Sequence, residues 1–468
     1  MTRKPGRWLF AIVFLFVWGL TTHGKYSVTG DEPHYLLVAE SLVADRDLDL
    51  ANNYADGDAR RFGRPDLTIE GHARRTPRGQ LYSVRDIGLP LLLLGPYAVA
   101  TRVAPLVPAG LLERFRMDAG LFAYSLLGLV MAALSAASAL LVFGAARRIA
   151  STRVAFTTAL TMALAPPALS LSFLIFPEIP AMFVTAFALW IASRRAEEVR
   201  WRDGVLFALV LGLLPWLHRK YAPYGLALVF VVVWAHRIWL KNSSHRQLLT
   251  LAALYLLPQL LLIAFTWYVW GNVGGALMLE RAPFSIAAFR SGVVGLLVDR
   301  EHGLLVWSPV YAIVPAAWLL TRRDTWPLVF PTLILFLMSA SHDQWWGGWC
   351  PAGRYLVPFV PLAAYVVARA AHHRSIRVLA VFLLPVQVLI TMVLWQRPRL
   401  FWPRGTGENL LLDLLLGPLS RLQSLLPSLS PPPASPTAEG HGWFIVLIIL
   451  ALSIGLATAQ GRHVRLES

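Results

Sequence analysis

The sequence predicts an all-α, polytopic membrane protein, and three observations carry that prediction. Hydrophobic residues make up 56% of the 468 positions, charged residues only 15%, and mean hydropathy is +0.57. A soluble domain carries about 25% charged residues. The composition therefore rules out a disordered chain and a disulfide scaffold, and argues against a water-soluble globule. The apolar residues also arrive in runs of about sixteen to thirty, the length that crosses a ~30 Å hydrocarbon core as a helix. Finally, the formal charge of +16 sits where basic residues flank such runs. In a soluble chain that excess would point to nucleic acid; here the cytoplasmic ends of spans account for it, and no nucleic-acid partner is expected. The single cysteine, Cys350, can form neither an intrachain disulfide nor a thiolate metal cluster.

Taken in order, the first span starts near Trp8, behind a basic head of Arg3, Lys4 and Arg7. With no small-residue cleavage site before Tyr26, it reads as a retained signal anchor. Further spans are predicted near 117–146, 153–173, 177–193, 203–218, 221–238, 248–270, 303–320, 326–341, 354–370, 377–395 and 442–460, about twelve in all. The apolar stretch 87–107, with Pro90, Pro96 and Pro105, decides the topology. If it does not span, Arg147, Arg148 and Arg153, then Arg194, Arg195, Arg200 and Arg202, then Arg237, Lys241 and Arg246, and later Arg322, Arg323, Arg369, Arg374 and Arg377 all fall on the cytoplasmic side. The stretch 87–107 is therefore read as an interfacial or re-entrant helix, since irregular backbone at membrane depth is tolerated under protein cover. Both termini are then cytoplasmic. One integral membrane domain, 1–468, results. Its outer segments are 23–116, 271–302, 342–353 and 396–441, the last with a Pro/Ser-rich stretch at Pro427–Pro436.

The first outer loop opens with Thr29-Gly30-Asp31-Glu32-Pro33-His34-Tyr35, two adjacent carboxylates just past the membrane exit. Pro33 suits the first turn of a helix, and the residues from 33 to 44 alternate in a way that fits an amphipathic interfacial helix. Two readings are open: acids that cap that helix, or a general base beside a membrane-embedded substrate. A second carboxylate, Glu178, stands between Pro177 and Pro180 in an otherwise apolar stretch, where an ionisable group is functional by default. Outer-face Arg and Lys run against the charge rule. Arg85, Arg219, Lys220, Arg300 and Arg354 could clamp a lipid phosphate or snorkel to headgroups. Aromatic and polar neighbours, His34, Tyr35, Tyr82, His342, Asp343, Trp345, Trp346 and Tyr355, could line a substrate site. Asp45-Arg46-Asp47-Leu48-Asp49 begins like a calcium loop but has Leu50 where a Gly is needed. No Walker A loop, dinucleotide fingerprint or HExxH occurs.

The Gly30-Asp31-Glu32 motif, Glu178 in its Pro-Glu-Ile-Pro setting, Tyr82-Ser83-Val84-Arg85 and the outer run Arg354-Tyr355-Leu356-Val357-Pro358 together resemble the GT-C superfamily of polytopic glycosyltransferases. The similarity is to bacterial protein O-mannosyltransferases and lipid A aminoarabinose transferases. Many members carry Asp where this chain has Glu178. The resemblance implies a sugar on a polyprenyl phosphate as donor, membrane lipids around it, and transfer at the extracytoplasmic face with inversion. It implies Asp31 as base, Glu32 and Glu178 as its helpers, and the five basic residues above as partners of the leaving phosphate. Asp31, Glu32 and Glu178 could also hold a divalent cation, and three carboxylates alone do not decide this. Acceptor kind stays open between protein, lipid and glycan. A transporter or lipid flippase, a glycan ligase or polymerase, and a scaffold are the competing readings. The absence of matching halves and of midplane charge weighs against the transporter.

Overall fold

The computed structural model describes residues 3–23, 28–276, 286–348, 350–430 and 435–466. Arg281 and the middle of the Pro427–Pro436 stretch lie outside them. The described chain is helical almost throughout, as an all-α membrane protein requires when every backbone polar group must be satisfied internally. Helix α1 is Arg3–His23, α2 is Glu32–Ala44, and a short antiparallel hairpin follows, β1 Ala73–Arg75 and β2 Leu81–Ser83. Then come α3 Gly88–Val103, α4 Ala119–Ala146, α5 Thr152–Leu164, α6 Glu178–Ala192, α7 Trp201–Gly212, α8 Tyr221–Ala235 and α9 His245–Trp270. The second half holds α10 Ile286–Val298, α11 Ile313–Thr325, α12 Val329–Ala340, α13 Val360–Ala370, α14 Arg374–Gln396, α15 Leu410–Leu416 and α16 Pro436–Leu466.

Five of the described helical segments are long and apolar enough to cross a membrane: 88–106, 119–146, 245–270, 374–396 and 436–459. Several other predicted spans are assembled from shorter pieces. Residues 304–325 run as one α turn, a 3₁₀ turn and α11; 326–340 and 354–370 each start as a 3₁₀ turn before α12 and α13. Proline explains the breaks, because it lacks the N–H and clashes with the preceding turn. Pro309, Pro327 and Pro358 each sit in the 3₁₀ piece.

The core of the bundle is α4 packed on α1 and α6, with α13 against α4, α5 and α6. The 88–118 segment packs on other parts of the chain at both ends: Gly88 abuts the backbone of Trp216, and Gly120, just beyond it, abuts Arg60 and Gly63.

Two expectations need correction. Helix α2 is not an interfacial helix with one apolar face: every residue from Glu32 to Ser41 is buried, covered by α3 and the 58–62 turn. Its polar side chains are instead partnered inside, His34 with Tyr54, Glu40 with Arg61 and Ser41 with Asp47. Residues 286–298, read as part of an outer segment, form helix α10, which packs on α12 and α16. Gly292 lets that helix touch the Ala340 carbonyl, a contact any Cβ would block.

Candidate active site

The site assembles where five distant parts of the chain meet. Gly30, at φ 56°, turns the chain into α2 and leaves Asp31 at the N-cap position. The Asp31 side chain does not cap the helix; it faces two arginines. Its Oδ1 accepts from Arg85 Nη2 at 2.8 Å and its Oδ2 from Arg354 Nη2 at 3.0 Å. The hairpin delivers Arg85. Register Ala73↔Ser83 and the Val84 N–H to His72 C=O bond close its root, so His72 and Arg85 emerge side by side next to Asp31. Burial pushes the Asp31 carboxyl up, but the charges of Arg354 and Arg85 overcome it and hold the group well below the usual carboxylate range.

Glu178 opens α6, where Pro177 and Pro180 set the first turn. Its Oε1 accepts from Lys220 Nζ at 3.0 Å and from Arg354 Nε at 3.1 Å. Its Oε2 is buried without a hydrogen-bond partner. Arg354 thus bridges both carboxylates with one planar fork, the geometry that distinguishes Arg from Lys. Its guanidinium also lies 4.3 Å from the Phe176 ring centroid. Lys220 precedes α8 and rests 4.2 Å from the centre of the Tyr355 ring, which His342 approaches from 5.9 Å. The cluster holds three cations, Arg85, Lys220 and Arg354, against two carboxylates, Asp31 and Glu178. One positive charge is left over, in surroundings from which water is largely excluded.

Glu32 does not join this cluster. Its Oε1 accepts from the Tyr124 hydroxyl at 2.8 Å and the Ile175 N–H at 2.7 Å. Its Oε2 accepts from the Thr29 N–H at 3.0 Å. It ties α2 to α4 and to the approach to α6, which sets Asp31 and Glu178 at their spacing. Burial pushes its carboxyl up to about 7, against the lowering by those donors.

The remaining predicted residues divide by location. Arg219 points away from its neighbour Lys220: Nε donates to Asp86 Oδ1 at 2.8 Å, and Nη1 donates to the Gly274 carbonyl. It borders, with Tyr82 and Arg85, a small cavity beside the end of α9. Arg300 is spent on backbone, donating to the carbonyls of Leu426 and Gly407. The whole run Asp299-Arg300-Glu301-His302 clasps the last outer segment. Asp299 accepts from the Leu429 N–H, Glu301 from the Gly405 and Gly407 N–H groups, and His302 meets Ser430. Trp345 is buried against Gly295 with Trp346 edge-on to it, so both fasten the 342–353 loop to α10. Asp343 is exposed, with no ion pair among those described. Tyr35 is buried on α2. His34 bonds Tyr54 and stacks on His72 with centroids 3.7 Å apart.

His72 is the residue that sequence reading missed. A single histidine in a polar loop carries no local signal; only the hairpin register shows it. No metal is implied by the donor set. Among the described residues no group of three His, Cys, Asp or Glu side chains is placed to hold an ion, and Arg354 occupies the space between the two carboxylates.

An apolar groove of about 230 Å³ lies on the α10, α11, α12 and α16 side. Leu356 and Phe359 line it, and they belong to the same 3₁₀ segment, Arg354–Phe359, whose first residue holds the carboxylates. The groove and the charge cluster are thus joined by one turn and a half of backbone.

Comparison with known proteins gives a partial family match and a likeness of fold. Residues 121–270 match the family described as dolichyl-phosphate-mannose-protein mannosyltransferase. Comparison with curated proteins finds no match. Among solved structures the chain is similar to ArnT from Cupriavidus metallidurans in the apo state, with 14% identity, 97% of this chain and 71% of that chain covered, and a TM-score of 0.50. It is also similar to the Archaeoglobus fulgidus oligosaccharyltransferase in complex with Zn and sulfate, with 16% identity, 83% of this chain covered and a TM-score of 0.40. The chain spans 52% of that oligosaccharyltransferase. The 121–270 match covers about a third of the chain, and the likeness to ArnT is one of helical membrane fold; both agree with the short motifs read from sequence.

Proposed function

We propose that this protein transfers a sugar from a polyprenyl-phosphate donor to an acceptor hydroxyl at the extracytoplasmic face. The observation that carries the reading is the excess cation: Arg85, Lys220 and Arg354 converge on only two carboxylates. A buried site with an uncompensated positive charge favours an anion, and a phosphate leaving group gains negative charge as the sugar departs. The apolar groove lined by Leu356 and Phe359, two and five residues after Arg354, suits the lipid chain of such a donor.

Asp31 acts as general base. Its two oxygens are held by arginines, which quenches its basicity. A donor phosphate competes for those same guanidinium groups and frees the carboxylate toward the acceptor hydroxyl. Glu178 Oε2, buried and unpartnered, is the acceptor group that a donor or acceptor hydroxyl would satisfy. Glu32 positions both. Direct displacement by the hydroxyl inverts the anomeric carbon. The site faces outward, both termini face the cytoplasm, and 23–116 forms the cover of the active site.

Asp31→Asn tests this. The substitution keeps shape, removes the base and leaves the arginines free for phosphate. Native mass spectrometry of the purified variant should show a co-purifying polyprenyl-phosphate sugar, with transfer reduced at least ~10²-fold. A variant repeatedly free of such lipid, under conditions that retain phospholipid, refutes the reading.

A further inference from the structure

His72 has no part in the roles above, yet it stands against both Asp31 and Arg85. Its Nδ1 lies 3.3 Å from Arg85 Nη2 and 3.7 Å from Asp31 Oδ1. One guanidinium nitrogen therefore sits between a carboxylate oxygen and an imidazole nitrogen and donates toward both. That arrangement fixes His72 as an acceptor at Nδ1, with its proton on Nε2. The ring is stacked on His34 at an interplanar angle of 9°, which fixes its orientation. His34 is itself buried and held by the Tyr54 hydroxyl. The His72 side chain is 22% exposed, so a proton can reach it from water.

Moving Arg85 changes the chemistry of this corner. Without the guanidinium, Asp31 Oδ1 and His72 Nδ1 are two acceptors facing each other with no proton between them. A proton on Nδ1 converts that repulsion into a charge-assisted hydrogen bond. We propose that His72 is a positioning residue for catalysis: when a lipid phosphate draws Arg85 away, His72 takes up a proton from water and replaces Arg85 as the partner of Asp31 Oδ1. This rests on the function proposed above.

The groups that face His72 all bear on that exchange. Asp31 and His34 lie on α2, Arg85 follows β2, and Glu70 precedes the ring in sequence. Burial and the Arg85 charge hold the imidazole below its ordinary range, against the pull of Asp31 and Glu70. Departure of Arg85 removes one of the two depressing causes and leaves the two favourable carboxylates. Asp31 stays oriented after its arginine is taken, and it does not recapture that arginine while the phosphate is bound.

The test uses the full-length protein in detergent and a polyprenyl methyl phosphodiester, a probe that keeps one negative charge across the working pH range. Calorimetric titration in buffers of different ionisation enthalpy gives the protons taken up per lipid bound. The parent protein should take up close to one proton near neutral pH, and its Kd should rise by up to about tenfold per pH unit above that point. His72→Asn preserves an acceptor near Nδ1 but does not titrate. It should bind the probe with no proton uptake and a flat pH profile, while His34→Asn retains the uptake. Probe binding without proton uptake by the parent, or the same uptake in His72→Asn, overturns this proposal and leaves the functional reading standing. Failure of the parent to bind the probe overturns both.

Discussion

Removal of Arg354 is the sharpest structural test of the charge cluster, because it needs no substrate. Arg354→Met keeps much of the side-chain volume and deletes two charge-assisted hydrogen bonds, 3.0 Å to Asp31 and 3.1 Å to Glu178. Each such bond is worth about 1.5–3 kcal/mol. Neither carboxylate is left alone, since Asp31 keeps Arg85 and Glu178 keeps Lys220. The loss should therefore be about 3–4 kcal/mol, below the largest penalties seen when a buried charge is orphaned. Asp31→Asn in the same background should recover about 1–2 kcal/mol of coupling, because the amide no longer needs a cation. Equilibrium unfolding in mixed micelles, followed by tryptophan fluorescence, measures both. A single variant within about 1 kcal/mol of the parent, or strict additivity of the two substitutions, would refute the bridging role.

Three further outcomes are expected. Glu32 has its carboxyl raised from 4.5 to about 7, so its contribution is fully present below the unfolded value and fades as pH climbs through the folded one. Stability of the parent relative to Glu32→Gln should thus fall between about pH 5 and 8, by roughly 3 kcal/mol, and parallel pH–stability curves would contradict this. Comparison with the variant cancels the opposing contribution of His34 and His72, whose folded values lie below those of free imidazole. Arg219→Ala should cost about 2–4 kcal/mol by stranding the buried Asp86, yet change affinity for the polyprenyl methyl phosphodiester by about threefold or less. Arg85→Ala should weaken the same binding by about tenfold or more, and the reverse ranking would return Arg219 to the phosphate site.

How far the sequence reached depends on what each residue breaks. Asp31, Glu178 and Arg354 stand out in the sequence because ionisable groups within or beside apolar runs break the hydropathy pattern. Adjacent Arg219 and Lys220 carry the same signal but diverge in space. Lys220 turns to Glu178 and Arg219 to Asp86, a split set by the turn before α8. Arg300 looked the same from sequence as Arg354, and only the fold reveals that backbone carbonyls consume it. Glu32 shares a motif with Asp31, yet one residue along a helix is a rotation of about 100°, enough to send it to Tyr124. Helix α10 escaped notice because Arg290 and two glycines interrupt a short apolar run. The hydrophobic spacing gave the bundle; side-chain partners across long sequence separations had to come from the fold.

The ion pair between Asp31 and Arg354 joins positions 323 residues apart. During synthesis the acid emerges just after the first helix, while the arginine appears only after most later helices have been made. Until then Arg85 is the one guanidinium of the pair available to Asp31, and Glu178 lacks its bridge. The centre therefore comes into existence at a late step of biogenesis, and a chain stalled before residue 354 carries most of the bundle without a finished site.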